Sequence, residues 1–320
     1  MGDGSAAWRT RNAGYLLFAS TDRCVRDKLD VLRREGFGAV SEALVTLLLN
    51  LDRDGTRLTT VAARAGQTKQ SMIELVDRAE ALGLVERRLD PTDMRAKVVA
   101  FSASGFRALD ALHLGLRHAE QRVAESVGSA FLAEMRARLC RYSAAPMKDA
   151  SAVPDAPAVA AENSWRTFNI GRLLALSARR FVRDVLSVVH ERGYRDVTEV
   201  LLALFRNLDL DGTRLTEIAA RARMTKQSMR ELVDRAEALG YVERRRDPSD
   251  GRAKTIIFTA AGLQMLEHMR SGVEQAERRF AAITSADFVD ELKRRLVDYI
   301  KRHSATDSRD VARERAAEPA

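Results

Sequence analysis

The feature that most constrains this chain is an internal repeat with an offset of 157 residues. Residues 58–105 realign without a gap on residues 215–262, and 34 of these 48 positions are identical. The same offset places Trp8 on Trp165 and Tyr142 on Tyr299, so the duplication covers nearly the whole of each half. Solenoid repeats are only about 20 to 50 residues long. The sequence therefore predicts two copies of one domain.

Composition sets the limits of the two copies. Residues 144–162 are rich in alanine and proline and have almost no bulky apolar side chains, which is typical of a linker. The segment from 304 onward is polar and charged, and we expect it to be frayed. We predict copy 1 over residues 1–143, the linker over 144–162, copy 2 over 163–303 and a polar tail over 304–320.

The periodicity of copy 1 predicts mostly helices and one hairpin. Apolar residues at helical spacing predict a long helix over 8–34 and a second over about 41–51. Thr59 is expected to cap a short helix that ends at Ala65, Thr68 to cap a helix over 69–82, and Gly83 to end that helix. The runs 84–87 and 98–101 predict a hairpin with a charged tip, and two helices with a break near Gly128 follow. Two short helices and a hairpin form a winged helix-turn-helix.

Three motifs occur in both copies: LTxxAARAxxTKQSM, ELVDRAEALGxVERR, and DPxDxRAK with a following FxxxG. Through them both halves of the chain resemble the MarR family of bacterial transcription regulators. The resemblance implies a mainly α fold with small β-wings, in which the first and last helices form a dimerisation bundle. Family members bind pseudo-palindromic operators as homodimers, usually repress, and often release DNA when a small, frequently aromatic acid binds.

The fusion of two units departs from the family pattern. By resemblance, the two winged domains and their helical bundle form an intrachain pseudo-dimer, so that one monomer binds double-stranded DNA with both heads. A linker of about 18 residues can extend to roughly 60 Å. It also holds the second copy at a local concentration in the millimolar range, so pairing within the chain is favoured over pairing with another chain.

Polar residues at the start of the helix over 69–82 are suited to contact DNA. Amide, hydroxyl and amino groups at a helix N-terminus reach phosphates and base edges. A cation on a narrow hairpin enters a minor groove, and by resemblance Asp93 and Asp250 orient the arginines that follow them. The alternatives are a simple helix cap and a solvated charged turn. The predicted DNA-contacting residues are Thr68, Lys69, Gln70, Ser71, Arg95, Lys97, Thr225, Lys226, Gln227, Ser228, Arg230, Arg252 and Lys254.

Differences between the copies indicate unequal heads. Ile73 is matched by Arg230, and Leu89 by Arg246. Over the aligned block, copy 1 has 7 Lys and Arg against 6 Asp and Glu, whereas copy 2 has 10 against 7. Our hypothesis is that the operator is an imperfect palindrome, in which Arg230 grips a half-site that copy 1 meets with Ile73.

Two equivalent pairs of residues are candidates for an effector site. Trp8 and Trp165 are the only tryptophans, and Arg26 and Arg183 are equivalent to each other. An aromatic ring and a guanidinium suit an aromatic carboxylate. An aromatic residue in a helix interface and a surface ion pair explain the same residues equally well.

Other functional classes find less support in the sequence. The net charge of +8 suits a polyanionic partner. The sequence has neither an apolar run of the roughly 20 residues that span a membrane nor an N-terminal export signal, so we expect a cytoplasmic protein. No histidine recurs at an equivalent position, and we find no metal-ligand cluster, nucleophile motif or phosphate-binding loop. We therefore expect no enzyme, cofactor or metal.

Two alternatives stay open within DNA binding. Some relatives sense oxidants through a cysteine on the first helix, which makes Cys24 a candidate. Its counterpart is Phe181, which favours a small core residue instead. The chain can also be an architectural protein, which binds DNA with a steep salt dependence and little sequence preference.

Overall fold

The computed structural model describes residues 8–90, 93–145, 168–222, 224–246 and 254–317, and only the backbone of 94, 95 and 303–317. The elements of copy 1 are α1 (Trp8–Arg11), α2 (Ala13–Arg34), α3 (Glu42–Asn50), β1 (Thr56–Arg57), α4 (Leu58–Ala65), α5 (Lys69–Ala81), β2 (Val85–Asp90), β3 (Asp93–Phe101), α6 (Ala103–Val127) and α7 (Ser129–Ala144).

From its first long helix onward, copy 2 repeats the same order. Its elements are α8 (Ile170–Glu191), α9 (Glu199–Asn207), β4 (Thr213–Arg214), α10 (Leu215–Ala222), α11 (Lys226–Ala238), β5 (Val242–Arg246), β6 (Lys254–Phe258), α12 (Ala260–Thr284) and α13 (Ala286–Ala317). The prediction of a mainly helical fold with small antiparallel sheets is confirmed.

Each copy has a winged head of three helices and three strands. In copy 1 the sheet order is β1-β3-β2, and Thr56 of β1 pairs with Val99 of β3. The sequence analysis missed β1, which has only two residues and follows the turn at Gly55. Helix α5 buries Met72, Val76 and Ala79 on the core of the head, which fixes the opposite face of α5 toward solvent.

Several predicted helix boundaries are confirmed and two are wrong. Thr68 caps α5, and Gly83 and Gly128 have left-handed φ values of +66° and +83° where their helices end. The predicted cap at Thr59 is wrong, because α4 already begins at Leu58 and has no side-chain cap. The predicted single helix over 8–34 is broken at Asn12, whose Oδ1 accepts a hydrogen bond from the Tyr15 amide at 2.8 Å.

The C-terminal segment is helical where the sequence analysis expects a frayed tail. Helix α13 continues to Ala317. Helix α7 ends at Ala144. Of the predicted linker over 144–162, residues 146–162 lie outside the described residues.

The chain forms two compact units, and each combines segments of both copies. Unit 1 consists of Met1–Phe18, Arg138–Asp155 and Leu176–Arg294, and unit 2 consists of Ala19–Ala137, Ala156–Ala175 and Arg295–Ala320. Unit 1 therefore contains the head of copy 2 together with both ends of copy 1. Unit 2 contains the head of copy 1 together with both ends of copy 2.

A buried polar cluster holds the segments of unit 1 together. The Tyr142 hydroxyl donates to Asp184 Oδ2 at 3.0 Å, and Arg180 Nε lies 3.1 Å from the same oxygen. The Tyr142 ring stacks on Phe280 with the ring centres 4.1 Å apart. Here the last helix of copy 1 is fastened to the first long helix of copy 2.

Unit 2 contains the equivalent cluster with the roles of the copies exchanged. The Tyr299 hydroxyl donates to Asp27 Oδ2 at 3.5 Å. Arg23 and Arg122 approach the other oxygen of Asp27 at 3.4 and 3.0 Å. The last helix of copy 2 is thus fastened to the first long helix of copy 1.

Candidate nucleic-acid interface and ligand cavity

The start of α5 presents polar side chains on a capped helix end. Thr68 Oγ1 accepts a hydrogen bond from the Ser71 amide at 3.1 Å, which satisfies one of the free donors of the first turn. Lys69 and Gln70 are exposed, and Gln70 Nε2 donates to Glu74 at 3.3 Å. Ser71 is half-buried, and its hydroxyl donates to Gln67 at 3.3 Å. Thr68 therefore fixes the helix end, while Lys69 and Gln70 remain accessible to a partner.

Copy 2 repeats this geometry at the start of α11. Thr225 accepts from the Ser228 amide at 3.0 Å, and Lys226 and Gln227 are exposed. Gln227 donates to Glu231 at 2.9 Å. The same capped helix end is therefore built twice in one chain.

The two heads differ one turn further along the helix. Arg230 is exposed on α11, whereas its counterpart Ile73 is half-buried on α5. This difference extends the cationic surface of the copy 2 head beyond that of the copy 1 head.

An ion-pair clamp, which the sequence analysis missed, joins each wing to its helix. Arg87 of β2 pairs with both Asp77 and Glu80 of α5. In copy 2, Arg244 of β5 makes the same two pairs with Asp234 and Glu237 of α11. The signal for this clamp was present in the repeated motif ELVDRAEALGxVERR, where two acids three residues apart precede an arginine. The clamp fixes the wing relative to the exposed helix face.

The base of the copy 1 wing is held by a second ion-pair group. Arg57 Nε lies 2.7 Å from Oδ2 of the buried Asp90, and Arg57 Nη2 lies 3.5 Å from Asp93 Oδ2. Lys97 of β3 is exposed, as is Lys254 of β6. The Arg95 side chain and all of Asp250 and Arg252 lie outside the described residues, so the predicted wing arginines and their orientation by aspartates stay predictions.

Unit 1 contains an apolar cavity of about 240 Å³. Trp8, Tyr15 and Phe18 of copy 1 line it together with Phe181 and Phe205 of copy 2. Its walls also include residues of α9 and α12, and Ala222, which is the last residue of α10. The cavity is therefore built against the helices of the copy 2 head.

Of the predicted ligand residues, only Trp8 is found at this cavity. Arg183 is exposed and does not line it, Arg26 belongs to unit 2, and Trp165 lies outside the described residues. The cations in the wall are instead Arg9 and Arg206. Arg9 donates to the backbone carbonyls of Phe205 and Leu208, and burial lowers its pKa.

Cys24 lies in an environment that opposes thiol chemistry. It is 3% exposed, and its Sγ lies 3.7 Å from the Tyr299 hydroxyl. Burial raises the pKa of Cys24 to about 11. Oxidation requires the thiolate and access, and both are disfavoured here.

Two kinds of feature are absent from the residues that the structure describes. Among these residues, no group of three or more His, Cys, Asp or Glu is arranged to hold a metal ion. None of the described helices is long and apolar enough to cross a membrane.

Comparisons with known proteins agree with the geometry of the copy 2 head. Residues 195–253 match the sequence model of the MarR family. The chain contains a MarR-family domain. The matched segment begins before α9 and ends one residue before β6. No curated protein resembles the chain closely enough to count as a match.

Among solved structures, the transcriptional repressor CouR bound to a 23-mer DNA duplex is 27% identical, with 40% of this chain and 89% of that chain covered and a TM-score of 0.33. CouR from Rhodococcus jostii RHA1 bound to p-coumaroyl-CoA is also 27% identical, with 38% and 85% covered and a TM-score of 0.34. Wild-type MarR from E. coli in its apo form is 21% identical, with 39% and 91% covered and a TM-score of 0.33.

Proposed function

We propose that this chain is a sequence-specific DNA-binding transcription regulator, a repressor that reads one operator with both of its heads. The observation that carries the proposal is the duplicated helix end, where a threonine cap leaves a lysine and a glutamine exposed in each copy. Glutamine is suited to a bidentate contact with adenine, and lysine to a phosphate or a guanine. The MarR-family domain at residues 195–253 supports the same function.

The two heads act together as an intrachain pseudo-dimer. Support comes from the reciprocal clusters in which Tyr142 contacts Asp184 and the equivalent Tyr299 contacts Asp27. Contacts in which two equivalent partners exchange roles are the mark of a twofold interface. We expect a monomeric chain to bind one duplex, and the mass of the free chain and of its DNA complex in solution measures this.

A small molecule that binds the cavity of unit 1 releases the DNA. The cavity is walled by α9 and by Ala222, the last residue of α10, which is the helix that precedes α11 in the chain. A ligand that prefers one position of these helices shifts the head between a binding and a non-binding arrangement.

The direct test is to select bound sequences from genomic DNA with the intact chain and to footprint the recovered site. Gln70→Ala and Gln227→Ala are each expected to weaken binding by about 1–3 kcal/mol and to relax the base preference of one half-site. Gln121→Ala is the matched control, because Gln121 is exposed on α6 and makes the same i,i+4 hydrogen bond to a glutamate at 2.9 Å. Equal effects of all three substitutions would refute the proposed contacts.

The same material separates a regulator from an architectural protein. A regulator prefers its operator over unrelated DNA by about 10³-fold or more, whereas an architectural protein shows a steep salt dependence without such a preference. If the selection recovers no common sequence, the chain has no sequence preference and the proposed function is wrong.

The unequal heads give a second, independent experiment. Because Arg230 is exposed where copy 1 has Ile73, Arg230→Ile is expected to reduce affinity and to make the two halves of the footprint more alike. The reciprocal Ile73→Arg is expected to strengthen the contact of copy 1 with phosphates. Indistinguishable half-sites, together with an unchanged DNA affinity of Arg230→Ile, would exclude an operator with unequal half-sites.

A further inference from the structure

The walls of the unit 1 cavity are mainly aromatic and aliphatic. Five rings line it, and aliphatic side chains such as Val185, Leu266 and Val273 complete the surface. Such a surface gains most from a flat apolar molecule, because each ring offers a face for stacking and each aliphatic group is desolvated on contact.

A close approach between α2 and α8 positions the Phe181 ring in the cavity wall. Gly14 of α2 lies against the Phe181 ring, and a Cβ added at Gly14 would stand only 2.2 Å from Phe181 Cδ1. Glycine at position 14 is therefore what allows the Phe181 ring to lie against the backbone of α2. The aromatic wall depends on both residues.

The charged groups of the cavity do not form a site for an acid. The Arg9 guanidinium is directed at two backbone carbonyls. The Arg206 guanidinium lies over the Phe18 ring, 4.1 Å from its centre. The residues that line the cavity also include Glu199, whose negative charge disfavours an anion. The carboxylate of a bound acid would need its own hydrogen-bonding or cationic partners to offset the cost of its desolvation. This wall does not offer them, so it favours an uncharged molecule.

The equivalent positions in unit 2 carry different chemistry. Four of the five rings are replaced there: the counterparts of Tyr15, Phe18, Phe181 and Phe205 are Arg172, Ala175, Cys24 and Leu48. A Cβ added at Gly171, the counterpart of Gly14, would lie 3.3 Å from the Cys24 Cβ instead of against a ring.

The unit 1 cavity and the equivalent place in unit 2 also differ by a lysine. The counterpart of Val185 is Lys28, which is half-buried. Burial lowers the pKa of Lys28, and the nearby Glu42 opposes that shift. An apolar ring placed against this ammonium would desolvate it further, so the same ligand is disfavoured at the equivalent place in unit 2.

We infer that the chain binds one uncharged, planar aromatic molecule, in the unit 1 cavity and not at the equivalent place in unit 2. The inference rests on the proposed function in one respect, which is that the bound molecule is the effector that releases DNA. One chain thus senses its ligand through the head of copy 2, although the DNA is read by both heads.

The test uses two fluorescent probes that share one ring system and differ in charge. N-phenyl-1-naphthylamine is neutral, and 1-anilinonaphthalene-8-sulfonate is its anionic counterpart. Titration of the intact chain is expected to give one site for the neutral probe and an affinity at least tenfold lower for the sulfonate. Two equal sites per chain, no binding of the neutral probe, or a preference for the sulfonate would overturn the inference.

Paired substitutions locate the site. Ala203→Phe fills the unit 1 cavity, and Thr46→Phe makes the same change at the equivalent residue of copy 1. The first is expected to abolish binding of the neutral probe and the second to leave it unchanged. The reverse result would overturn the inference. Val185→Lys, which introduces the residue of copy 1, repeats the test if Ala203→Phe does not fold by circular dichroism.

Selection of genomic DNA with the probe-free chain keeps the two proposals distinguishable. If no specific DNA is recovered and the neutral probe still binds one site that Ala203→Phe removes, the binding site stands and the proposed function fails. If specific DNA is recovered and the probe binds at both places or at neither, the inference fails and the proposed function stands.

Discussion

The junction between each head and the helix that follows it makes a strong prediction about Gly105. The Ser102 amide donates to Leu84 O at 3.1 Å, and Ser102 Oγ accepts from the Gly105 amide at 2.9 Å. These bonds bring α6 so close to the head that a Cβ at Gly105 would lie 1.8 Å from Leu84 O. The glycine of the FxxxG motif is therefore required by the contact with a backbone oxygen, which no rotamer change can relieve.

The size of the effect follows from this distance. A carbon and a carbonyl oxygen approach to about 3.3 Å, so Gly105→Ala forces α6 away from Leu84 by about 1.5 Å. Overpacking of this kind costs about 1–3 kcal/mol, and the helix preference of alanine returns at most about 1 kcal/mol. We expect a net loss of about 2 kcal/mol, which lowers the melting temperature of a unit of this size by about 4–8 °C.

The assay is thermal and urea unfolding of the intact chain, with circular dichroism as the signal. Gly262→Ala should lose as much as Gly105→Ala, because a Cβ at Gly262 would lie 1.9 Å from Tyr241 O. Ser104→Ala, one residue away on α6, is the control and should change the unfolding free energy by less than about 0.5 kcal/mol. If Gly105→Ala is as stable as Ser104→Ala, the close approach does not constrain the junction and the reasoning is wrong.

Two further predictions concern the clamp and the buried hydroxyl and thiol groups. Arg87→Ala removes two partly exposed ion pairs and should lower the unfolding free energy by about 1 kcal/mol, whereas Arg88→Ala, which loses only its pair with Glu86, should cost less than about 0.5 kcal/mol in the same urea titration. Burial raises the pKa of Cys24 from 9.0 to about 11, and it also raises the pKa values of Tyr142 and Tyr299. The unfolded chain therefore ionises first, so the stability from these neutral groups is present below about pH 9 and is lost as the pH rises toward 11. A melting temperature that stays constant from pH 8 to 11 would contradict this.

Features with local causes were predictable from the sequence. The cap at Thr68 and the helix ends at Gly83 and Gly128 each depend on one residue and its immediate neighbours. The two-residue strand β1 was missed because a strand so short has no periodicity of its own. The cap at Thr59 was misplaced because α4 begins at Leu58, two residues earlier than a cap at Thr59 allows, and its N-cap residue Arg57 makes no side-chain hydrogen bond.

The residues that line the unit 1 cavity were harder to predict, because their partners are distant in the sequence. Trp8 lines the cavity, but its wall partners Phe181 and Phe205 come from the other copy. Trp8 and Arg26 were candidates because each has an identical counterpart in copy 2 and because a ring and a guanidinium suit an aromatic carboxylate. Periodicity along one helix cannot show which segment of the other copy will face it.

The distribution of differences between the copies has a physical explanation. Substitutions that damage a cluster such as Tyr142 with Asp184 leave a buried polar group without its partner, which costs about 1–3 kcal/mol in either copy. A wall residue of a cavity carries no such penalty, so Val185 and Lys28 can differ freely once the copies are fused and encoded separately. In a homodimer any such change appears in both sites at once. Fusion therefore permits one head to be tuned for a ligand while both keep the exposed lysine and glutamine at their helix ends. Val185→Lys is expected to abolish neutral-probe binding without altering the paired clusters, whereas Lys28→Val is not expected to create a second site, because four of the five rings are replaced at the equivalent place in unit 2.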